Sequence, residues 1–138
     1  MTPLFADTFY WIALVDFTDS AHQRALVVTR ERADSPIVTT DEALGEFLTF
    51  FATAPEQMRF KAVTNAQRIL EDPGVRVVPQ SRGSFLSGMA LYAERPDKGY
   101  SLVDCISMQT MRKQGLTEVL TNDRHFEQEG FRALFRDS

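Results

Sequence analysis

Cysteine occurs once in this sequence, at Cys105, which excludes an intramolecular disulfide framework and any multi-cysteine zinc site. The expected state of Cys105 is a reduced, half-buried thiol, which suits an intracellular chain. Histidine is almost as scarce: His22 and His125 are too few and too poorly spaced for a zinc site, and His125 reads as packing or capping beside Phe126. Long hydrophobic runs are missing as well. The apolar stretch near the N-terminus, Thr8 to Val15, falls far short of the ~20 residues a membrane span needs, and no positively charged segment precedes it. The expectation is a soluble, cytoplasmic protein with no membrane partner. Basic charge is not in excess either, since 15 Lys and Arg face 19 Asp and Glu for a net of −4. That balance argues against a protein that coats nucleic acid through a broad basic face. It leaves room for an enzyme acting on nucleic acid whose positive charge comes from metal ions. Nucleotide-binding glycine motifs are lacking too: Gly83 to Gly88 has P-loop spacing, but Met89-Ala90 stands where Lys-Ser/Thr is required. No G-x-S-x-G nucleophile elbow is present.

What remains is an ordinary globular composition, 43% hydrophobic and 25% charged over 138 residues. There is no repeat, low-complexity tract or linker, so residues 1–138 read as one domain, long enough to bury roughly 70% of its unfolded surface. Short apolar runs alternate with longer helical patterns. Strands are expected at Leu4 to Ala6, Pro36 to Thr39, Val75 to Val78 and Glu118 to Thr121, with a fifth at Phe131 to Phe135. Helices are expected from Ser20 to Arg32, capped by Asp19 or Ser20, and from a Thr39-x-x-Glu42 capping box through Ala52. A longer helix starts at Pro55, with Met58, Ala62, Ala66, Ile69 and Leu70 at helical spacing, and stops at Pro73-Gly74. Two more run from Ser84 to Glu94 and from a Ser101 cap to Gln114, with Gly115 as the stop. This alternation implies an α/β fold: a mostly parallel sheet of four to five strands with helices on both faces. Met89, Met108 and Met111 read as core filler, as do Phe47, Phe50 and Phe51; Arg30-Glu31-Arg32 reads as a solvated helix face.

Ligands of open α/β sheets bind beyond the carboxyl ends of the strands. Asp7 follows the first strand directly, and Asp123 follows the fourth after Thr121-Asn122. Taken singly, each is most simply a loop or helix-capping aspartate. Glu46 is harder to place in that way. It lies in Ala43-Leu44-Gly45-Glu46-Phe47-Leu48-Thr49-Phe50-Phe51, a helix apolar nearly all round and therefore expected to be buried. A carboxylate there must be paired with an Arg or Lys, protonated, or bound to a metal. Asp104 completes a Ser101-x-x-Asp104 capping box, which holds it on the rigid first turn of its helix. A cap and a ligand are not exclusive roles.

Taken together, these residues resemble the PIN-domain nucleases, most closely the VapC-type toxins of toxin–antitoxin systems. The resemblance spans essentially the whole chain. It is carried by Phe5-Ala6-Asp7-Thr8, by Thr39-Thr40 leading to Glu46, by Tyr100-Ser101-Leu102-Val103-Asp104-Cys105-Ile106-Ser107, and by Leu120-Thr121-Asn122-Asp123-Arg124-His125-Phe126 with Gly130-Phe131. It implies a three-layer α/β/α PIN-like fold in which Asp7, Glu46, Asp104 and Asp123 hold Mg²⁺ or Mn²⁺, with Asp41 and Glu42 as nearby acids. Both metals prefer oxygen ligands. The implied activity is hydrolysis of RNA to 3′-hydroxyl and 5′-phosphate ends. Ser101 and Thr121 are candidates to orient the acids, and Arg124 to contact a phosphate. The implied partners are an RNA substrate, a second copy in a homodimer, and a small antitoxin offering a basic group to the carboxylates. The rival readings are a housekeeping PIN nuclease and a silent PIN module that only binds RNA or protein. Setting the four acids aside, the remaining 15 acidic residues balance the 15 basic ones, so the net −4 matches the proposed pocket in size.

Overall fold

In the computed structural model, which describes residues 2–136, the chain alternates strand and helix almost throughout. Met1, Asp137 and Ser138 of the expected domain lie outside the described residues. Among the described residues five strands form one sheet: β1 (Leu4–Ala6), β2 (Ile37–Thr40), β3 (Val75–Val78), β4 (Glu118–Leu120) and β5 (Arg132–Ala133). Their order is β3-β2-β1-β4-β5, and every neighbouring pair is parallel. The helices are α1 (Thr8–Val15), α2 (His22–Glu31), α3 (Asp41–Phe50), α4 (Glu56–Glu71), α5 (Arg82–Glu94), α6 (Leu102–Gln114) and α7 (Arg124–Gln128), with a 3-10 turn at Leu134–Arg136. This is a three-layer α/β/α architecture. Two hydrophobic clusters, one on each side of the sheet, account for the layers. One gathers Leu4, Ala6, Trp11, Leu44, Phe47 and Ile69; the other gathers Phe5, Val38, Met108, Met111, Val119 and Phe126. Alternate residues of β1 enter opposite clusters, as the period-two geometry of a strand requires.

Winding reverses at β1. The chain steps outward from β1 through β2 to β3, then crosses back so that β4 pairs with the other side of β1. The crevice at such a reversal is where an open parallel sheet presents its loops to a ligand. Because α6 leads into β4, whose first residue lies at the amino edge, the first turn of α6 sits at the carboxyl edge beside the ends of β1 and β4.

Several local expectations change. The segment Thr8 to Val15, read only as too short for a membrane, is the helix α1. It is apolar on all sides, with Tyr10, Trp11 and Ala13 buried and the rest partly covered, so no amphipathic stripe marks it. The N-cap of α3 is Thr40, whose hydroxyl accepts from Ala43 N at 3.0 Å. Thr39, the expected cap, instead donates to Ala6 O (2.8 Å) and accepts from Trp11 Nε1 (3.1 Å), pinning β2 to β1. The α2 helix starts two residues later than expected, after an Ala21 cap. The fifth strand covers only Arg132–Ala133 before the chain tightens into the 3-10 turn. Cys105 is fully buried rather than half-buried, whereas Phe50 and Met89, expected in the core, are exposed. No helix among the described residues is long and apolar enough to cross a membrane.

Candidate functional site

Asp7 occupies the N-cap position of α1 without capping it. Its carboxylate turns instead toward β4, where Oδ2 accepts from Thr121 Oγ1 at 2.9 Å. The same Thr121 oxygen accepts from Asp123 N at 3.2 Å, so one buried hydroxyl links the ends of β1 and β4. Asp123 caps α7, its Oδ1 accepting from His125 N at 2.9 Å. The expected capping box of α6 is present in full: Ser101 Oγ accepts from Asp104 N (3.0 Å) while Asp104 Oδ2 accepts from Ser101 N (3.2 Å). Glu46 comes from α3, where Oε1 accepts from Thr8 Oγ1 at 3.0 Å. Thr8 also approaches Ala43 O at 3.1 Å, which fixes its hydroxyl between the two helices.

The four acids therefore converge from four elements, and they repel one another. Burial pushes the Asp7 carboxyl up to about 7 against the Thr121 hydrogen bond, with Asp104 and Asp123 adding to the rise. Asp104 is raised by burial and by Asp123. Glu46 is raised by burial and by Asp104, with the Thr8 hydrogen bond opposing. None of the four forms an ion pair with Lys or Arg among the described residues. That removes the structural ion pair as the explanation of Glu46. The helix around it is also less enclosed than its composition suggests: Leu44, Phe47 and Phe51 are buried, but Leu48 is 38% and Phe50 55% exposed. Glu46 itself is half-buried beside open Gly45, where an added Cβ would meet nothing within 4 Å.

Asp41 and Glu42 point elsewhere. Asp41 Oδ2 accepts from Gln80 N at 2.9 Å, and Glu42 lines a cleft with Gln80, Ser81, Arg82 and Phe85. Arg124, first residue of α7, is exposed and adjacent to Asp123. His125, expected to pack or cap beside Phe126, packs its ring on Tyr100 at 5.0 Å and also reaches the acids. Phe126 turns into the core, while the imidazole joins the acids, its Nδ1 lying 3.4 Å from Asp123 Oδ1 and 3.6 Å from Asp104 Oδ2. This nitrogen is buried and makes no hydrogen bond. Ligand atoms of Asp104, Asp123 and His125 lie within 4.8 Å of one another, a spacing that can hold a metal ion.

A crowded, oxygen-rich donor set with a raised buried carboxylate and an orphaned buried nitrogen fits a divalent cation. The fold around it identifies the class: residues 4–131 match the PIN domain family, and the chain belongs to that family. PIN domains are metal-dependent nucleases. Among individual proteins, the chain is 26% identical to the 23S rRNA-specific endonuclease VapC20 of Mycobacterium tuberculosis, in strain CDC 1551 and strain H37Rv alike. The match covers 93% of this chain and 95% of that protein. The crystal structure of M. tuberculosis VapC20, described as a sarcin-ricin loop cleaving toxin, superposes with a TM-score of 0.79 at 28% identity. It covers 93% of this chain and 95% of that one.

Proposed function

We propose that this chain is an Mg²⁺- or Mn²⁺-dependent endoribonuclease that acts as the toxin of a toxin–antitoxin pair, with Asp7, Glu46, Asp104 and Asp123 as its metal-holding acids. The observation that carries the reading is the convergence of four acids at the sheet reversal with no ion pair to Lys or Arg among the described residues. Such a cluster costs several kcal/mol unless a cation enters it. When bound, the metal lowers the pKa of a coordinated water and offsets charge building on the phosphate and the leaving oxygen.

The protein's own residues supply the preorganisation. Thr121 holds Asp7 and the Asp123 backbone in register, and Thr8 holds Glu46. Ser101 fixes Asp104 on the first turn of α6. Arg124, exposed beside Asp123, would receive a substrate phosphate and bring the polyanion to an otherwise acidic pocket. The substrate is RNA, cut to 3′-hydroxyl and 5′-phosphate ends. The similarity to VapC20 supports this substrate class.

The same reading assigns two protein partners and a compartment. A small antitoxin would place a basic group among the four carboxylates in place of metal. A second copy would form a homodimer, for which exposed Phe50, Phe60, Leu86 and Tyr92 provide apolar surface. A chain acting on cellular RNA works in the cytoplasm. The test is mapping of RNA 5′ ends after brief expression in cells, against an Asp7→Asn control. The expected result is new 5′-phosphate ends at few sites in wild type only. Growth arrest relieved by a neighbouring small gene product separates a toxin from a housekeeping nuclease; growth unaffected by expression contradicts the toxin role.

A further inference from the structure

Behind the acids lies a buried ionic node that the reaction chemistry does not require. Glu129, one residue past α7, has a side chain only 4% exposed. Its Oε2 accepts from Arg95 Nε (2.8 Å) and Tyr100 OH (2.8 Å), while Oε1 accepts from Arg112 Nη2 (2.7 Å) and Arg95 Nη2 (3.3 Å). Burial alone would raise this carboxyl, but hydrogen bonds from Arg95, Arg112 and Tyr100 outweigh it and hold it at about 2. The node is therefore ionised at every working pH, and its charge-assisted bonds are of the short, strong kind.

Two arginines already neutralise Glu129, so the Tyr100 hydroxyl adds direction rather than charge. Tyr100 immediately precedes the Ser101 cap of the helix that carries Asp104. Its ring, 5% exposed, lies 5.0 Å from the His125 ring at an angle of 56°. His125 in turn stands between Asp104 and Asp123. One continuous path thus runs from Glu129 through the Tyr100 hydroxyl and ring to the imidazole and two of the acids.

We infer that Tyr100 and Glu129 are positioning residues, which set the His125 ring and the first turn of α6 so that Asp104, Asp123 and His125 are held at metal-binding spacing. The inference rests on the metal-centre reading above and deepens it. A plain tertiary clamp would need only the arginine contacts, and any aromatic at 100 would serve; positioning needs the hydroxyl. Outer partners that orient metal-binding groups are commonly worth 10–100-fold in affinity.

Tyr100→Phe isolates the effect, since Phe fills the same space and leaves both arginine contacts to Glu129 intact. The measurement is Mn²⁺ titration by calorimetry on purified wild type, Tyr100→Phe, His125→Ala and the double variant, with thermal melts alongside. Tyr100→Phe should weaken Mn²⁺ binding about tenfold while melting within a few degrees of wild type. In the His125→Ala background it should weaken binding by clearly less than in wild type, because part of its effect runs through that ring. Tyr100→Leu, which removes ring and hydroxyl together, should lose more than Tyr100→Phe. Wild-type affinity in Tyr100→Phe, or a full additional loss in the double variant, would overturn the inference. A wild type silent toward Mn²⁺ would instead overturn the metal-centre reading, and this inference with it.

Discussion

Replacing Asp7 by Asn should stabilise the metal-free protein, by an amount that grows as pH rises from about 4 and levels off above about 7. The Asp7 carboxyl is raised from 3.8 to about 7, chiefly by burial and further by Asp104 and Asp123. A carboxyl raised on folding favours the protonated form in the native state. Its contribution is therefore full below the unfolded value and is lost as pH climbs from about 4 through about 7. Three units at ~1.4 kcal/mol each make that loss about 4 kcal/mol. Asn removes the ionisation but keeps an oxygen for the Thr121 hydroxyl, which donates to Asp7 at 2.9 Å. For a chain of this size the difference corresponds to roughly 10 °C in melting temperature. The assay is a thermal melt in EDTA across pH 4 to 8. Wild type should lose melting temperature across that range, Asp7→Asn much less, and the two should converge at pH 4. Mn²⁺ at pH 8 should raise wild type and leave Asp7→Asn nearly unmoved, since a ligand that binds only the native state stabilises it. A wild-type melt flat with pH, or an Asp7→Asn protein melting below wild type at pH 8, would show that burial does not raise the Asp7 carboxyl.

Three further outcomes follow from the same geometry. Thr121→Val keeps the shape but strips Asp7 of its donor and Asp123 N of its acceptor, so cleavage should fall 10–100-fold and stability by about 1–3 kcal/mol, read by urea denaturation. Gly88→Ala should destabilise by about 1–3 kcal/mol, because the added Cβ would overlap Ile106 Cγ1 where α5 packs on α6; the check is a melt with cleavage per folded molecule unchanged. Arg124→Ala should raise KM for RNA with little change in kcat and flatten the salt dependence of binding by about one charge; an unchanged KM would remove Arg124 from substrate contact.

The strands, the α6 capping box and the Gly115 stop were legible because each is written locally, in apolar runs and cap residues. The α1 helix was not, since its residues are apolar in every direction and carry no periodicity of an amphipathic helix. Its start was hidden for a second reason. Asp7 holds the N-cap position but spends its carboxylate on Thr121, so a structural signal had been diverted to the site. The acids were found through sheet-edge position and family resemblance. His125 was missed because its importance comes from Tyr100 and Asp104, which lie 25 and 21 positions earlier in the sequence. Exposure of Phe50 and Met89 was equally invisible, because composition reports how apolar a helix is and not what covers it.

The central claim is that these carboxylates form a metal-dependent ribonuclease centre. The most direct measurement is cleavage of a structured RNA by purified protein with Mg²⁺ or Mn²⁺, comparing wild type with folded Asp104→Asn. Wild type should cleave to 5′-phosphate ends, and EDTA and Asp104→Asn should each abolish that cleavage. Undiminished cleavage by the folded Asp104→Asn protein, or cleavage that persists in EDTA, would contradict the central claim.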